Sequence, residues 1–455
     1  MTKRCPHCGA NNADEFDSCA ACGAVLTKSV ADVLEEALIS RRQGNMSEAL
    51  TRFNEVLERE PTNADALFNI GALKEESGDF ADALRYYDKA LMADSQHVAS
   101  LVAKGSLLRD AGDTEMALQL FDAAIQSDPR FALAYNAKGY LLQNEGRYAQ
   151  ALECYNKAQE ADPEFDLPWF NMGVCYSLMN DSEKAEGMFE RALLLEPDNA
   201  DAWFYRANAL ANMERYDDAI INYDKGLLID GNRASAWDGR GLALANQYRW
   251  LDALESFNKA LELDPSYFIA CNNKGFVYYN LQRFDEALDE FNKALELSPD
   301  YVLAWINKAL ALDSMNRFDE AIDCLDRAFV LDPENFWILN RKGFILFSIE
   351  RYDEAIEVFD HVLGVSPDDT YALSFKGSSY DGLGKYEEAI KCFDRVLELD
   401  PNDELAWTSK GSALYSLKSF DDALTCFNRA LEIDPQSLEA VQFKKLILDK
   451  RTKAG

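Results

Sequence analysis

The sequence is poor in histidine and in basic residues and has no long apolar run, and each shortage removes a class of function. Its three histidines, His7, His97 and His361, are far apart in the chain, so no histidine-based catalytic group is suggested. No glycine-rich phosphate loop occurs. No stretch reaches the ~18 apolar residues of a transmembrane helix. The opening MTKRCPHCGA lacks the apolar segment of a secretory signal, so the expected compartment is the cytoplasm. Lys and Arg number 46 against 79 Asp and Glu, a formal charge of −33. Such a surface repels nucleic acid and acidic membranes and favours solubility. Residues 1–29 add nothing to that excess, because Lys3, Arg4 and Lys28 offset Asp14, Glu15 and Asp17. With 48% hydrophobic and 27% charged residues, the composition is that of a folded chain.

What the chain has in abundance is self-similarity, which organises everything else. A small residue recurs every 34 positions: Gly71, Gly105, Gly139, Gly173, Ala207, Gly241, Gly275, Ala309, Gly343, Gly377 and Gly411. Alanine holds a second column without exception, from Ala49 to Ala423, and a proline column from Pro61 to Pro435 is broken only by Ser95 and Gly231. The phase runs through twelve units. In residues 268–301, two apolar-periodic stretches flank NLQRF, which predicts two helices of about three turns in an antiparallel hairpin. Gly275 and Ala287 are small so that the two backbones can approach, and Phe291 is the plug beside them. That plug is Phe or Tyr in every unit except at Leu325. Pro299 ends the second helix. One hairpin cannot cover its own apolar face, so neighbours must stack into a continuous core. Two polar columns accompany the core. The residue before the small position is basic in nine units, as in Lys104, Lys138, Lys308, Lys342 and Lys410; the residue after the plug is Asp, Asn or Glu. These columns are expected to pair as a ladder between stacked hairpins.

These columns resemble the tetratricopeptide repeat. Residues 404–437 carry Trp407, Gly411, Ala423, Phe427, Ala430 and Pro435 at motif positions, whereas 200–233 departs at Ala207 and Gly231. The resemblance covers 30–437. It implies an all-α fold, a right-handed α-solenoid superhelix of twelve 34-residue helix-turn-helix repeats, whose first helices line a concave face that takes extended peptides or helices. Carried over, the lining positions are the second, fifth, sixth, ninth, twelfth and thirteenth of each repeat. In the C-terminal half these include Phe276, Tyr279, Trp337, Phe344, Phe347, Tyr371, Phe375 and Tyr415. Such a stripe is either covered by a partner or packed between repeats. Asn69, Asn171, Asn273 and Asn307 share the sixth position, where some superhelical relatives hold peptide backbones with an asparagine ladder. No repeat has Lys at the fifth position with Asn at the ninth, so the carboxylate clamp of chaperone-binding relatives is not expected. Beyond Pro435, SLEAVQFKKLILDKR keeps helical periodicity without the glycine and reads as a polar capping helix, its basic residues suiting a helix C-terminus.

Ten cysteines fall into two groups. Six (Cys154, Cys175, Cys271, Cys324, Cys392 and Cys426) lie in helical stretches and read as reduced, buried apolar residues. The other four form two CxxC pairs, Cys5 with Cys8 and Cys19 with Cys22, each followed by glycine. Four thiolates at that spacing suit a tetrahedral metal, zinc above all. The pattern resembles the short zinc ribbon at the start of many prokaryotic, often archaeal, proteins, which implies one structural Zn²⁺ held by Cys5, Cys8, Cys19 and Cys22. A rubredoxin-type iron and a redox dithiol pair are the alternatives. A closed four-thiolate site has no open coordination position for catalysis.

The sequence thus divides into a ribbon and linker (1–29), twelve repeats (30–437) and a capping helix and tail (438–455), which leaves no room for a catalytic domain. The expected function is a non-enzymatic scaffold for protein or peptide partners, with no membrane and no small-molecule substrate. The alternative is a nucleic-acid-associated regulator anchored through the ribbon, against which its balanced charge and lack of an aromatic-basic cluster weigh.

Overall fold

The computed structural model describes residues 2–4, 7–13, 18–23 and 28–454. Two compact units make up the chain, Met1–Gly231 and Asn232–Gly455. The first unit begins with antiparallel strands β1 (Thr2–Arg4) and β2 (Asn11–Ala13), Lys3 facing Asn12. Helix hairpins follow, from Val30–Arg42 with Met46–Arg59 to Ala200–Asn212 with Tyr216–Ile229. The second unit runs from Ala234–Asn246 with Trp250–Leu263 to Glu404–Ser416 with Phe420–Ile433, and ends in the helix Leu438–Ala454. Twenty-five helices occur among the described residues. In each unit the second helix of one hairpin packs on the first helix of the next. None of the helices is long and apolar enough to cross a membrane.

The hairpin closes on one wedge. A Cβ built on Gly275 would lie 2.6 Å from the Phe291 ring and 3.2 Å from the Ala287 carbonyl oxygen. Gly71 with Tyr87, Gly139 with Tyr155 and Gly411 with Phe427 repeat the same approach at 2.6–2.7 Å. The aromatic plugs are fully buried, and fully burying such a side chain is worth about 1.5–3 kcal/mol. Where the small residue gains a methyl, the two cases differ. Ala309 stands with Leu325 in place of an aromatic ring, both buried. At Ala207 the plug stays aromatic as buried Tyr223, and a second glycine, Gly226, receives the ring of Phe204.

The turn inside each hairpin holds one residue in the left-handed region. Five are glycines (φ 73–90°), and Asn180, Glu214, Tyr248, Gln282, Asn316, Glu350 and Lys418 adopt φ 58–65° at the equivalent place. The turn between hairpins is fixed by side chains. Asn63, Asp369 and Asp403 each cap a first helix by accepting from the third backbone N–H. Trp203, Trp305 and Trp407 donate their indole N–H to the carbonyls of Pro197, Pro299 and Pro401 at 2.9–3.0 Å.

The polar ladder forms between hairpins. Lys104 reaches Asp88 at 2.6 Å, Lys138 reaches Asp122 at 2.5 Å, and Lys342 and Lys410 reach Asp326 and Asp394 at 2.5 Å. Lys376 pairs with Asp360. The ladder breaks where the acidic column is asparagine. Lys274, opposite Asn258, turns instead to Glu290 at 3.0 Å, and Lys308, opposite Asn292, sits over the Trp305 ring. The Asp carboxylates are about half exposed, so each pair contributes roughly 0.2–1 kcal/mol. The six helical cysteines are buried, and burial pushes the thiols up, Cys175 to about 12 and Cys324 to about 11.

The last helix departs from the expectation of a polar cap. It buries Ala440 and Ile447 on the preceding hairpin, but Leu438, Val441, Leu446 and Leu448 are exposed on its remaining surface. Lys450 lies 4.5 Å from the Tyr415 ring centre and donates to its hydroxyl.

Gly275→Ala is expected to lower stability by about 1–2 kcal/mol, since overpacking outweighs the gain of up to about 1 kcal/mol in helix propensity. Phe291→Leu should recover part of that loss in the double variant, as Ala309 with Leu325 does naturally. Urea unfolding of the four proteins of the cycle measures this; strictly additive losses would refute the wedge.

Candidate functional site

Two places gather the residues that the sequence singles out: the face formed by the first helices, and the cysteine cluster. On the first-helix face, the sixth-position asparagines are tied into the array. Asn171 donates to Asn136 Oδ1 at 3.0 Å, Asn273 to Asp238 Oδ1 at 3.0 Å, and Asn307 to Asn272 Oδ1 at 2.9 Å. Each bond runs from one first helix to the preceding one, so these amides join neighbouring repeats. Asn69 accepts from Arg41 at 2.7 Å.

The eight aromatic residues divide by exposure. Phe276, Trp337 and Tyr371 are 43%, 50% and 41% exposed. Tyr279, Phe344, Phe347, Phe375 and Tyr415 are half-buried. Phe375 is the hub of a ring cluster, its centre 4.6 Å from Tyr371, 5.2 Å from Phe344 and 5.4 Å from Phe347. Tyr415 meets Phe420 at 5.5 Å and Phe443 at 5.3 Å. Part of the stripe is therefore core, and part is open surface.

Sequence reasoning missed three features of this face. Leu303 and Leu405, in the same second-position column as Trp337 and Tyr371, are 53% and 73% exposed. Reading the column for all large apolar residues, rather than for rings alone, finds them. The N-terminal unit has its own cavity of about 500 Å³, lined among others by Val102, Arg109, Leu133, Tyr140 and Leu167 and reaching Asn171. A cavity of about 410 Å³ lies beside Tyr371, Phe375 and Leu405. A further cleft of about 570 Å³ around Lys308 and Cys324 has a counterpart of about 340 Å³ around Lys138 and Cys154, so it follows from repeat geometry.

The third feature is a buried acid. Asp238 is 4% exposed, and burial raises its carboxyl to about 6, although Asn273 and Tyr267 hydrogen-bond to it. The folded carboxyl thus keeps its proton to a higher pH than an unfolded aspartate. Its stabilising increment is full below about pH 4 and is lost as pH rises through about 6. A displacement of about two pH units corresponds to roughly 3 kcal/mol at neutral pH. Asparagine occupies the equivalent position at Asn136, Asn272 and Asn340. Asp238→Asn is therefore expected to raise the urea midpoint at pH 7.5 and to make little difference at pH 4. An equal gap at both pH values would contradict this.

In the cysteine cluster, Cys8, Cys19 and Cys22 lie with their sulfurs within 4.8 Å of one another. Cys5 lies outside the described residues. Gly9 and Gly23, which follow the two pairs, have φ of 74° and 71°, and the Gly23 N–H reaches the Cys19 carbonyl at 2.7 Å. Asn12 fastens this arrangement. Buried on β2, it accepts from Ala20 N–H at 2.8 Å and donates to Cys19 Sγ at 3.4 Å. Burial opposes ionisation of Cys19, but N–H groups of Ala21 and Asn12 and the Cys22 backbone outweigh it and bring the thiol down to about 6. Three convergent sulfurs, one of them predisposed to the thiolate, could hold a metal ion.

Family models described as tetratricopeptide repeat match residues 40–105, 102–164, 179–236, 234–267, 268–301, 302–335, 338–369 and 376–437. No curated protein matches the chain. Among solved structures, YrrB, described as a TPR protein with an unusual peptide-binding site, is 28% identical over 40% of this chain and 95% of its own, with a TM-score of 0.37. The APC/C hetero-tetramer Cut9-Hcn1 is 16% identical over 93% of this chain and 97% of that one, with a TM-score of 0.42. A tetratricopeptide repeat protein from Parabacteroides merdae is 19% identical over 55% of this chain and 98% of its own, with a TM-score of 0.40.

Proposed function

The chain belongs to the tetratricopeptide repeat family, and from that premise we propose that it is a non-enzymatic scaffold whose first-helix face binds peptide or protein partners. The observation that carries this is a column of large apolar residues left open on that face. Leu303, Trp337, Tyr371 and Leu405 are 41–73% exposed at successive 34-residue intervals. Large apolar side chains exposed in register on successive first helices mark a surface for something that covers it. Phe276, Phe344, Phe347, Phe375, Tyr279 and Tyr415 would form the floor and flanks of the groove. Asn69, Asn171, Asn273 and Asn307 would set the spacing of its walls through the bonds they make.

The proposed division is a ribbon and linker at 1–29, twelve repeats at 30–437, and a terminal helix and tail at 438–455, in a cytoplasmic protein. Cys5, Cys8, Cys19 and Cys22 would hold one structural Zn²⁺, which supplies a cross-link between the two CxxC turns. Asn12 would orient the Cys19 sulfur toward it. The ribbon would then serve as a structural element or as a second recruitment module.

Trp337→Ser with Leu405→Ser should leave a cooperative melting curve with a loss of about 1–2 kcal/mol, because Leu405 is largely solvated and Trp337 is half exposed. The same variant should lose the proteins that the full chain retains in affinity capture from a native lysate. Equal retention by a folded variant would count against the groove.

Metal analysis of the purified full chain should find one zinc per chain. Cys5→Ser and Cys19→Ser should each reduce it to background. Iron in its place, or full zinc content in both variants, would overturn the assignment.

A further inference from the structure

The end of the first-helix face carries charge chemistry that the groove reading does not use. Asp381, on the helix Thr370–Gly382, is half-buried, and its Oδ1 is buried with no hydrogen-bond partner. An acceptor left in that condition costs free energy until a donor reaches it. Glu439, on the terminal helix, faces the same cavity of about 230 Å³, together with Ser378, Ser409 and Ser412. Burial raises the Asp381 carboxyl, and the nearby Glu439 raises it further. Several carboxylates elsewhere on the chain are met by an Arg three residues away, as Glu320 is by Arg317 and Glu432 by Arg429. Among the described residues, no cation of the chain reaches Asp381 or Glu439 within ion-pair distance.

This cavity adjoins an apolar one. Ser378, Ser409 and Phe393 line both the acidic cavity and the 410 Å³ cavity beside Tyr371, Phe375 and Leu405. Phe375 and Asp381 stand six positions apart on one helix, about 9 Å along its axis. Side chains i and i+2 of an extended strand are about 7 Å apart on one side. A single extended segment can therefore place an apolar side chain in one cavity and its neighbour but one in the other. The formal charge of −33 would draw a basic segment toward the chain.

We propose that this end of the groove is a receptor for an extended peptide that carries Lys or Arg two residues from a large apolar side chain. The cation is received by Asp381 and Glu439, and the apolar side chain by the cavity beside Tyr371, Phe375 and Leu405. The inference rests on the groove reading and gives it a chemical preference.

The test uses the full chain and an array of nine-residue peptides. Their fifth residue is Lys, Arg, norleucine or Glu, and their seventh is Leu, Phe or Ser. Lys or Arg with Leu or Phe should be retained ~tenfold or more above norleucine, as a charge-assisted hydrogen bond in a half-buried site implies. Asp381→Asn and Glu439→Gln should each bring Lys peptides toward the norleucine level. Both variants relieve like-charge repulsion, so folding is expected to survive, and a melting curve checks it. Asp319→Asn, the same change of net charge at an exposed second-helix site, should have no effect. If norleucine peptides bind as well as Lys peptides, or if the Asn and Gln variants bind Lys peptides as the parent does, the cation receptor is refuted while the groove stands. If no peptide is retained, the receptor is refuted too, and the lysate capture with Trp337→Ser and Leu405→Ser decides separately on the groove.

Discussion

The contact between a helix with no side chain at one position and a ring on its partner sets the rest of this structure. With Gly275 bare, the Phe291 ring packs directly on the first helix, and the Ala287 carbonyl of the second helix approaches the same point. Because the ring is fixed, the residues on either side of it are fixed as well. Asp394, one place beyond the Phe393 ring, is aimed at the next hairpin, where Lys410 waits; Lys104 and Asp88 make the same pair. The wedge thus determines which polar residues face each other between repeats. It also turns the first helices so that one side of each is left for other use.

Much of this was legible in the sequence because it depends on volume at fixed intervals. The Gly, Ala and aromatic columns state which residues meet, and the hairpins follow them. Even the exceptions are readable, since Ala309 and Leu325 change together. Less legible were effects that depend on who stands across a helix pair. The ion ladder was expected, but not that Lys274 would turn to Glu290 once Asn258 offered no charge. The asparagines at 171, 273 and 307 share a column, but their acceptors, at 136, 238 and 272, lie one repeat back and one position earlier. Only packing shows that these amides join repeats. Asn12 was invisible for the same reason: its value lies in reaching Ala20 and Cys19 across a hairpin.

The aromatic stripe shows where a periodic pattern stops being informative. Phe375 and Tyr371 occupy lining positions of one helix, yet Phe375 anchors a cluster of rings while Tyr371 is 41% exposed. Periodicity assigns a residue to a side of the helix, and the neighbouring helix decides how much of that side remains open. The second-position column, at the N-terminal end of the first helices, is open at Leu303, Trp337, Tyr371 and Leu405. Leu303 and Leu405 are exposed there although neither is aromatic.

The acidity of the chain is not spread over this face in the second unit. The acids at its lining positions are few, and most are already engaged. Asp238 is buried under Asn273 and Tyr267, and Asp313 is paired with Arg341. Asp381 is different, since its buried oxygen has no donor and its neighbour Glu439 is another acid. A large negative charge ordinarily speaks to solubility and says little about specificity. It becomes specific when one half-buried carboxylate has a buried oxygen without a donor and is set beside an apolar cavity, because a fully solvated surface acid needs no partner and this oxygen does.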